Sequence, residues 1–297
     1  RIIERVKMPK IILSTLGPAS LNGETIERLD ELGVALFRLS LSHTSVDRLE
    51  ELIDLIRAHS EVPICLDTQG AQIRTGTLSG GTTILETGAV IDLVAAPVEG
   101  EGSVIPLYPA SVLPSLMVGD LISIDVDSIP LQVIESGTTC RARVLNGGTV
   151  GSNKAVSVDR GIDLPPLTDP DWAAVDLGLR LGIKNIALSF THTKDDVLLL
   201  RDRVGPRVTI IAKIESRLAL ENLDGILEAA DAVLIDRGDL ARELPIENLP
   251  FIQKEVISRA NKAQVPVYVA TNLLESMVVN ARPTRAEAND VINTLLD

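Results

Sequence analysis

Two rhythms of apolar and polar residues alternate along most of the chain. Short runs of Ile, Leu, Val and Ala recur as KIILSTLG (10–17), ALFRLSLS (35–42), PICLDTQG (63–70), NIALSFTH (185–192), VTIIAKIES (208–216), AVLIDRGD (232–239) and VPVYVATN (265–272). Between them lie ETIERLDELG, SVDRLEELIDLIRAH, DDVLLLRDRVG, ENLDGILEAA and FIQKEVISRANKA, whose apolar residues fall three and four apart, and RPTRAEANDVINTLLD follows the last run. The short runs read as buried strands and the periodic stretches as amphipathic helices. Strands alternating with helices imply parallel strands joined by right-handed crossovers. The pattern predicts an α/β fold, a TIM-type (β/α)8 barrel with seven units visible. An eighth strand and helix would have to come from a neighbouring chain or an unusual closure, unless the sequence is a fragment.

The rhythm breaks once. From residue 73 to 163 the composition turns to Thr, Ser, Gly and Val, with turn signals such as SGGTT, VGD and LNGGTVGSN and no helical period. This stretch is expected to be an inserted small β-barrel lid domain on the third strand–helix loop, dividing the barrel into residues 1–72 and 164–297.

Composition narrows the partners. Only 2% of the residues are aromatic, against 45% hydrophobic overall, so the core has to be aliphatic, as buried parallel strands favour. A net charge of −13 repels a phosphate backbone, and stacking residues are scarce, which argues against nucleic acid. Cys65 and Cys140 offer neither a disulfide framework nor a zinc spacing. No run has transmembrane length and RIIERVKMPKIIL lacks a signal-peptide core, so a cytoplasmic protein without membrane contact is expected.

The candidate chemistry sits where strands end. The second strand ends with Arg38, Ser40 and Ser42, the third with Asp67 and Thr68, and the fifth with Lys213 and Glu215. The sixth ends with Asp236, Arg237 and Asp239, and the seventh with Thr271 and Asn272. In a parallel barrel these ends converge on the face where active sites lie. Alternation along KIE puts Lys213 and Glu215 on one side of their strand. They read either as catalytic groups or as an ion pair bracing the barrel. Glu215 and Asp239 make a sparse carboxylate pair that suits magnesium.

KIILSTLGPAS, FRLSLSH, LDTQGAQIRTG, AKIESRLALENLDGILEAADAVLIDRGDL and ATNLLESMVVNARPTRAEANDV together resemble the pyruvate kinase family, in order and spacing. The resemblance implies phosphoryl transfer between phosphoenolpyruvate and ADP, or between ATP and pyruvate or a related 2-oxo acid enolate, with Mg2+ or Mn2+. It implies that Lys213, Arg38, Thr271 and, less directly, Ser276 serve catalysis. Arg237, Gly238, Asp239 and Thr271 would hold the substrate, and Arg38, His43, Arg74 and Lys154 the nucleotide. Glu215 and Asp239 would be the divalent-metal ligands, and Ser40, Ser42, Asp67 and Thr68 a cage for a monovalent cation. The family's fold also implies a homo-oligomer or completion of the barrel by another chain. Departures accompany these matches. Asp236 stands where the family has alanine, Ser40 where potassium-using members have asparagine, and Gln69, Ala71 and Gln72 where Lys, Pro and Glu are usual. Potassium dependence is therefore expected to be weak. A metal-dependent carbon–carbon lyase working through a pyruvate enolate, or a non-catalytic paralogue or partner subunit, remains an alternative at this stage.

Overall fold

The structure, a computed structural model, describes residues 10–70, 72–125, 129–160, 162 and 164–297. Ala71, Gly161 and Asp163, which the sequence reading places at the domain junctions, and residues 1–9 lie outside the described residues. The chain divides into two compact units, Arg1–Gly70 with Pro166–Asp297, and Ala71–Pro165.

The first unit is built on a curled parallel sheet. Its strands are β1 (Leu13–Leu16), β2 (Leu36–Ser40), β3 (Ile64–Asp67), β13 (Asn185–Leu188), β14 (Thr209–Ile214), β15 (Ala232–Asp236) and β16 (Val267–Ala270), paired side by side in that order, with β4 to β12 in the second unit. Every neighbouring pair is parallel, as in Lys213 opposite Leu234 and Asp236 opposite Ala270. Helices α1 (Gly23–Glu31), α2 (Val46–His59), α3 (Asp169–Arg180), α4 (Lys194–Val204), α5 (Arg217–Glu221), α6 (Leu223–Ala229), α7 (Arg237–Glu243), α8 (Leu249–Ala263) and α9 (Arg285–Leu296) fill the connections. Strands β3 and β15 are buried along their whole length, because helices cover one face and the sheet's own concave side the other. One side of the strands packs Leu39, Leu66 and Ile53 in one cluster and Ile210, Ala212, Val233 and Ile226 in another. The other side gathers Leu36, Cys65, Ala187, Ile211, Ala232 and Leu234. Helix α3 approaches β3 closely at Gly178, where a Cβ would stand 2.5 Å from Leu66 Cδ1. No helix among the described residues is long and apolar enough to cross a membrane.

Caps set the helix starts. Asn22 accepts from the Thr25 amide ahead of α1, and Thr168 with Asp171 forms a capping box at α3. Thr284 and Glu287 do the same at α9, where the Glu287 carboxylate also takes the Ser276 amide at 2.6 Å and the Ser276 hydroxyl. The bonds from Ser276 and Thr284 pull the Glu287 pKa down from about 4.5 to about 2. A depressed carboxylate pKa means stability that is complete above the unfolded value and lost as pH falls through the folded one. Glu287→Gln is therefore expected to melt below the unaltered protein at neutral pH, with the gap closing between about pH 4.5 and about pH 2. A gap unchanged across a melting series over that range would contradict this role for Glu287.

Among its described residues the second unit is all β apart from one short 3-10 segment, Ala110–Ser115, where the sequence shows no helical period. A sheet runs β12 (Val156–Val158), β8 (Leu121–Ile124), β9 (Ile129–Glu135), β10 (Cys140–Val144), β6 (Val90–Ala95), β7 (Val104–Tyr108), β4 (Arg74–Thr75). A bridge between Arg74 and Ala155, beside β12, nearly closes this sheet on itself. Strands β5 (Thr82–Leu85) and β11 (Gly148–Gly151) form a separate antiparallel pair. Leu93, Ile105, Leu107, Ile124, Leu131, Cys140 and Val144 fill the interior.

Candidate active site

The period of two along parallel strands decides which side chains meet. Above the apolar layer of Leu36, Cys65, Ala187, Ile211 and Leu234 come, two residues further along the same strands, Arg38, Asp67, Ser189, Lys213 and Asp236. Glu215 follows Lys213 by one more step. The C-terminal strand ends thereby carry a compact charged layer.

Lys213 is its centre. The ammonium lies 2.7 Å from Glu215 Oε1, 3.3 Å from Asp67 Oδ1 and 3.7 Å from Asp236 Oδ2, and it donates to Ser189 Oγ at 3.1 Å. Arg38 grips the other oxygen of Asp67 through Nε at 2.9 Å and a terminal nitrogen at 2.6 Å. Burial alone would push the Lys213 ammonium toward neutrality, but Glu215 and Asp67 outweigh it and hold its pKa above the ordinary value. Arg38 is likewise raised: burial lowers its pKa and Asp67 more than restores it. Glu215 is pushed up to about 7, first by burial and then by Asp236 and Asp239, against the pull of Lys213. Its Oε1, though close to Lys213, has no partner at hydrogen-bonding angles.

Backbone turns fix these groups. The Phe190 amide donates to Glu215 Oε2 at 2.7 Å, from a residue at φ 48°. A bulky aromatic in the left-handed region is strained, and its amide is thereby aimed at the carboxylate. Ser189 receives its place from Thr68, whose hydroxyl accepts from the Ser189 amide at 3.0 Å. Buried Asp171 braces the turn after β3, accepting from the amides of Gln69 at 2.7 Å and Gly70 at 3.1 Å as well as from Thr168. Thr271, at φ 67°, accepts from the Gly238 amide at 2.7 Å and lies 3.0 Å from Asp236 Oδ1.

The oxygens of Glu215, Asp236 and Asp239 lie within 4.8 Å of one another. An all-carboxylate set of this kind fits a hard divalent cation such as Mg2+ or Mn2+, and Glu215 Oε1 would share itself between that cation and the Lys213 ammonium at 2.7 Å. Asp239 also pairs with Arg242 at 2.8 Å.

The remaining residues named from the sequence are more dispersed. Ser40 lies opposite Asp67 in the register of β2 and β3, while Ser42 and His43 are exposed in the turn that follows. Arg237 points to Asp290 at 2.9 Å and to the Thr271 carbonyl, tying α9 to the turn after β16. Ser276 is engaged with Glu287 as described. Arg74 and Lys154 belong to the second unit, where Arg74 donates to the Asn153 carbonyl at 3.1 Å and Lys154 pairs with Asp125 at 2.7 Å. The sequence does not point to Ser189, the Phe190 amide or Asp171, and it marks Asp236 as a strand-end polar group and a departure from the family, not as a partner of Lys213. The parity of Ala187 and Ser189 on their strand was the available signal for Ser189. Nothing in the sequence signals the φ of Phe190.

Comparison with known proteins adds an independent line. The family model for the pyruvate kinase barrel domain matches residues 6–297. A pyruvate kinase of Sporosarcina psychrophila is 36% identical over 96% of this chain and 51% of its own length. One from Mycobacterium intracellulare is 37% identical over 96% of this chain and 63% of its own. One from Methylorubrum extorquens is 35% identical over 99% and 63%. The chain thus spans about half to under two thirds of the length of these curated relatives.

Proposed function

The chain belongs to the pyruvate kinase family, and from that premise we propose that it is a phosphotransferase. It moves a phosphoryl group between the enolate oxygen of pyruvate, or of a related 2-oxo acid, and a nucleotide of the ADP/ATP pair, with Mg2+ or Mn2+. The observation that carries this reading is Lys213, a 4% exposed ammonium kept charged by three carboxylates on the strand-end face it shares with Arg38. A brace between two strands needs one partner. A cation surrounded by more negative charge than it can neutralise suits a site completed by a metal and an anionic ligand.

Phosphoryl transfer is largely a matter of position and clustered positive charge. Arg38 and Lys213 supply fixed cations for the equatorial oxygens and for the charge that builds on the enolate oxygen. Glu215 and Asp239 would hold the divalent cation, with Asp236 in reach, and when bound it would supply further charge stabilisation. Phe190 and Asp171 keep Glu215 and the turn after Asp67 in place, so little reorganisation accompanies the transfer. Thr271 holds the Gly238 amide through its hydroxyl oxygen and so braces the start of α7 beside Asp239.

A turnover screen with phosphoenolpyruvate, pyruvate and oxalate, with and without ADP and Mg2+, tests the reading. Pyruvate formed only when ADP and Mg2+ are both present is the expected result. Cleavage of a 2-oxo acid without nucleotide would replace it with lyase chemistry, and ligand binding without turnover would leave a non-catalytic relative.

Potassium is expected to matter little. Asp67, the charged member of the candidate cage, already faces Arg38 at 2.6 Å and Lys213 at 3.3 Å, so little negative charge is left for another cation. Ser40 adds only a short hydroxyl. Rates compared in KCl and NaCl at equal ionic strength should agree within about twofold, the spread of a weak ionic contact. A steep rise specific to K+ would contradict this reading of the cage.

A further inference from the structure

Both passages of the chain between its two units are tied to one side chain. The chain leaves the first unit after Gly70 and returns to it at Pro166. On the outgoing side Asp171, only 1% exposed, accepts from the amides of Gln69 at 2.7 Å and Gly70 at 3.1 Å. On the returning side it accepts from the Thr168 amide at 3.0 Å and the Thr168 hydroxyl at 2.8 Å. The capping box of α3 accounts for the bonds with Thr168 but not for those with Gln69 and Gly70. A buried carboxylate with four donors is a fixed point, because releasing any of them strands a polar group away from water.

That point controls a turn one contact further on. Gly70 sits at φ 73°, and a Cβ there would stand 2.9 Å from Phe190 Cδ2 and 3.1 Å from the Ser189 Cβ and carbonyl oxygen. The outgoing segment therefore lies hard against the turn after β13, and Thr68 holds the Ser189 amide beside it at 3.0 Å. The same turn takes the Lys213 ammonium on the Ser189 hydroxyl at 3.1 Å and brings the Phe190 amide to Glu215 at 2.7 Å. Phe190, at φ 48°, keeps such a backbone only where its surroundings over-determine it. Gly70 on one side and the Glu215 bond on the other supply that constraint.

We propose that Asp171 is a positioning residue for the site. It fixes Gln69 and Gly70 so that Gly70 holds the Ser189–Phe190 turn onto Lys213 and Glu215, and it anchors both junctions so that movement at either one does not reach the turn. The inference rests on the phosphotransfer reading, in which Lys213 and Glu215 serve the reaction. Asparagine at 171 turns one acceptor oxygen into a donor, which opposes at least one of the amides now bound there.

Amide hydrogen exchange, Mn2+ titration and turnover of the full chain separate positioning from plain support of the fold. In Asp171→Asn the Ser189 and Phe190 amides are expected to lose protection. Mn2+ affinity, measured by calorimetry without substrate, and kcat should each fall at least ~10-fold, the scale of losing a group that orients a ligand from behind, while KM moves less. Thr168→Val removes the hydroxyl from the cap but leaves the Gln69, Gly70 and Thr168 amides on Asp171. It should melt earlier yet keep the protection, Mn2+ affinity and kcat of the unaltered protein. An Asp171→Asn protein that only melts earlier, or a Thr168→Val protein that loses as much, would make Asp171 a helix cap and overturn the inference. Should the unaltered protein bind Mn2+ without turning over, the phosphotransfer reading falls, and exchange with Mn2+ affinity still decides the role of Asp171. Should Asp171→Asn not fold, Gly70→Ala tests the same contact from the other side. Its Cβ would drive the Ser189–Phe190 turn away, and unchanged protection and Mn2+ affinity in that variant would overturn the inference as well.

Discussion

Lys213→Met is expected to lose at least ~100-fold in turnover per folded molecule, the scale of removing one preorganised electrostatic stabiliser, while substrate affinity falls less. Methionine keeps the length and the apolar stem and removes only the charge. The structure adds a consequence for stability. Asp67, Glu215 and Asp236 all lie within 3.7 Å of the ammonium, so its removal leaves carboxylates facing one another in a buried layer, at a cost of about 3–5 kcal/mol. Early melting alone therefore does not separate catalyst from brace. Adding Asp236→Asn to Lys213→Met removes one of the opposing charges and should recover part of the stability without recovering turnover. A Lys213→Met protein that melts early yet keeps its specific activity when folded would make Lys213 a brace and nothing more.

Mg2+ or Mn2+ is expected to raise the melting temperature by several degrees, since a ligand at a hundredfold excess over its Kd stabilises by about 2.7 kcal/mol. Glu215→Gln combined with Asp239→Asn should abolish that shift. The double variant starts from a different baseline, because Glu215 is one of the partners of Lys213. The informative quantity is the difference between metal-loaded and metal-free protein within each variant. An undiminished shift in the double variant would place the metal elsewhere.

Local rules carried much of the fold. The inner strands of the parallel sheet announce themselves as short aliphatic runs because helices and the sheet's concave side bury both of their faces, as for Ile64–Asp67 and Ala232–Asp236. The insertion announces itself because exposed β-structure with tight turns needs Gly, Thr and Ser, not a helical stripe. The 3-10 segment Ala110–Ser115 is not legible in the sequence because so short a stretch shows no period. Likewise AVLIDRGD reads as one strand run to Asp239, but the strand stops at Asp236 and the chain enters α7 directly at Arg237, with the Asp236 side chain accepting from the Gly238 amide.

By itself, the sequence determined that Lys213 and Glu215 share a side of one strand, because pleating turns every second side chain the same way. It also determined that Arg38, Asp67 and Asp236 stand near strand ends, because those positions follow the apolar runs directly. Only the tertiary structure decided which of them touch. Asp67 is divided between Arg38 and Lys213, which come from strands on either side of it, through the register of β2 with β3 and the passage across β13. Asp236 meets Thr271 because β15 and β16 pair with Asp236 opposite Ala270, and no count along the chain yields that register. Phe190 faces Glu215 with its amide because the turn forces a left-handed backbone at φ 48°. Strand periodicity is a property of neighbours along the chain and can be read there, whereas hydrogen bonds and ion pairs between strands depend on how far each strand is shifted against the next, which packing of the whole sheet sets.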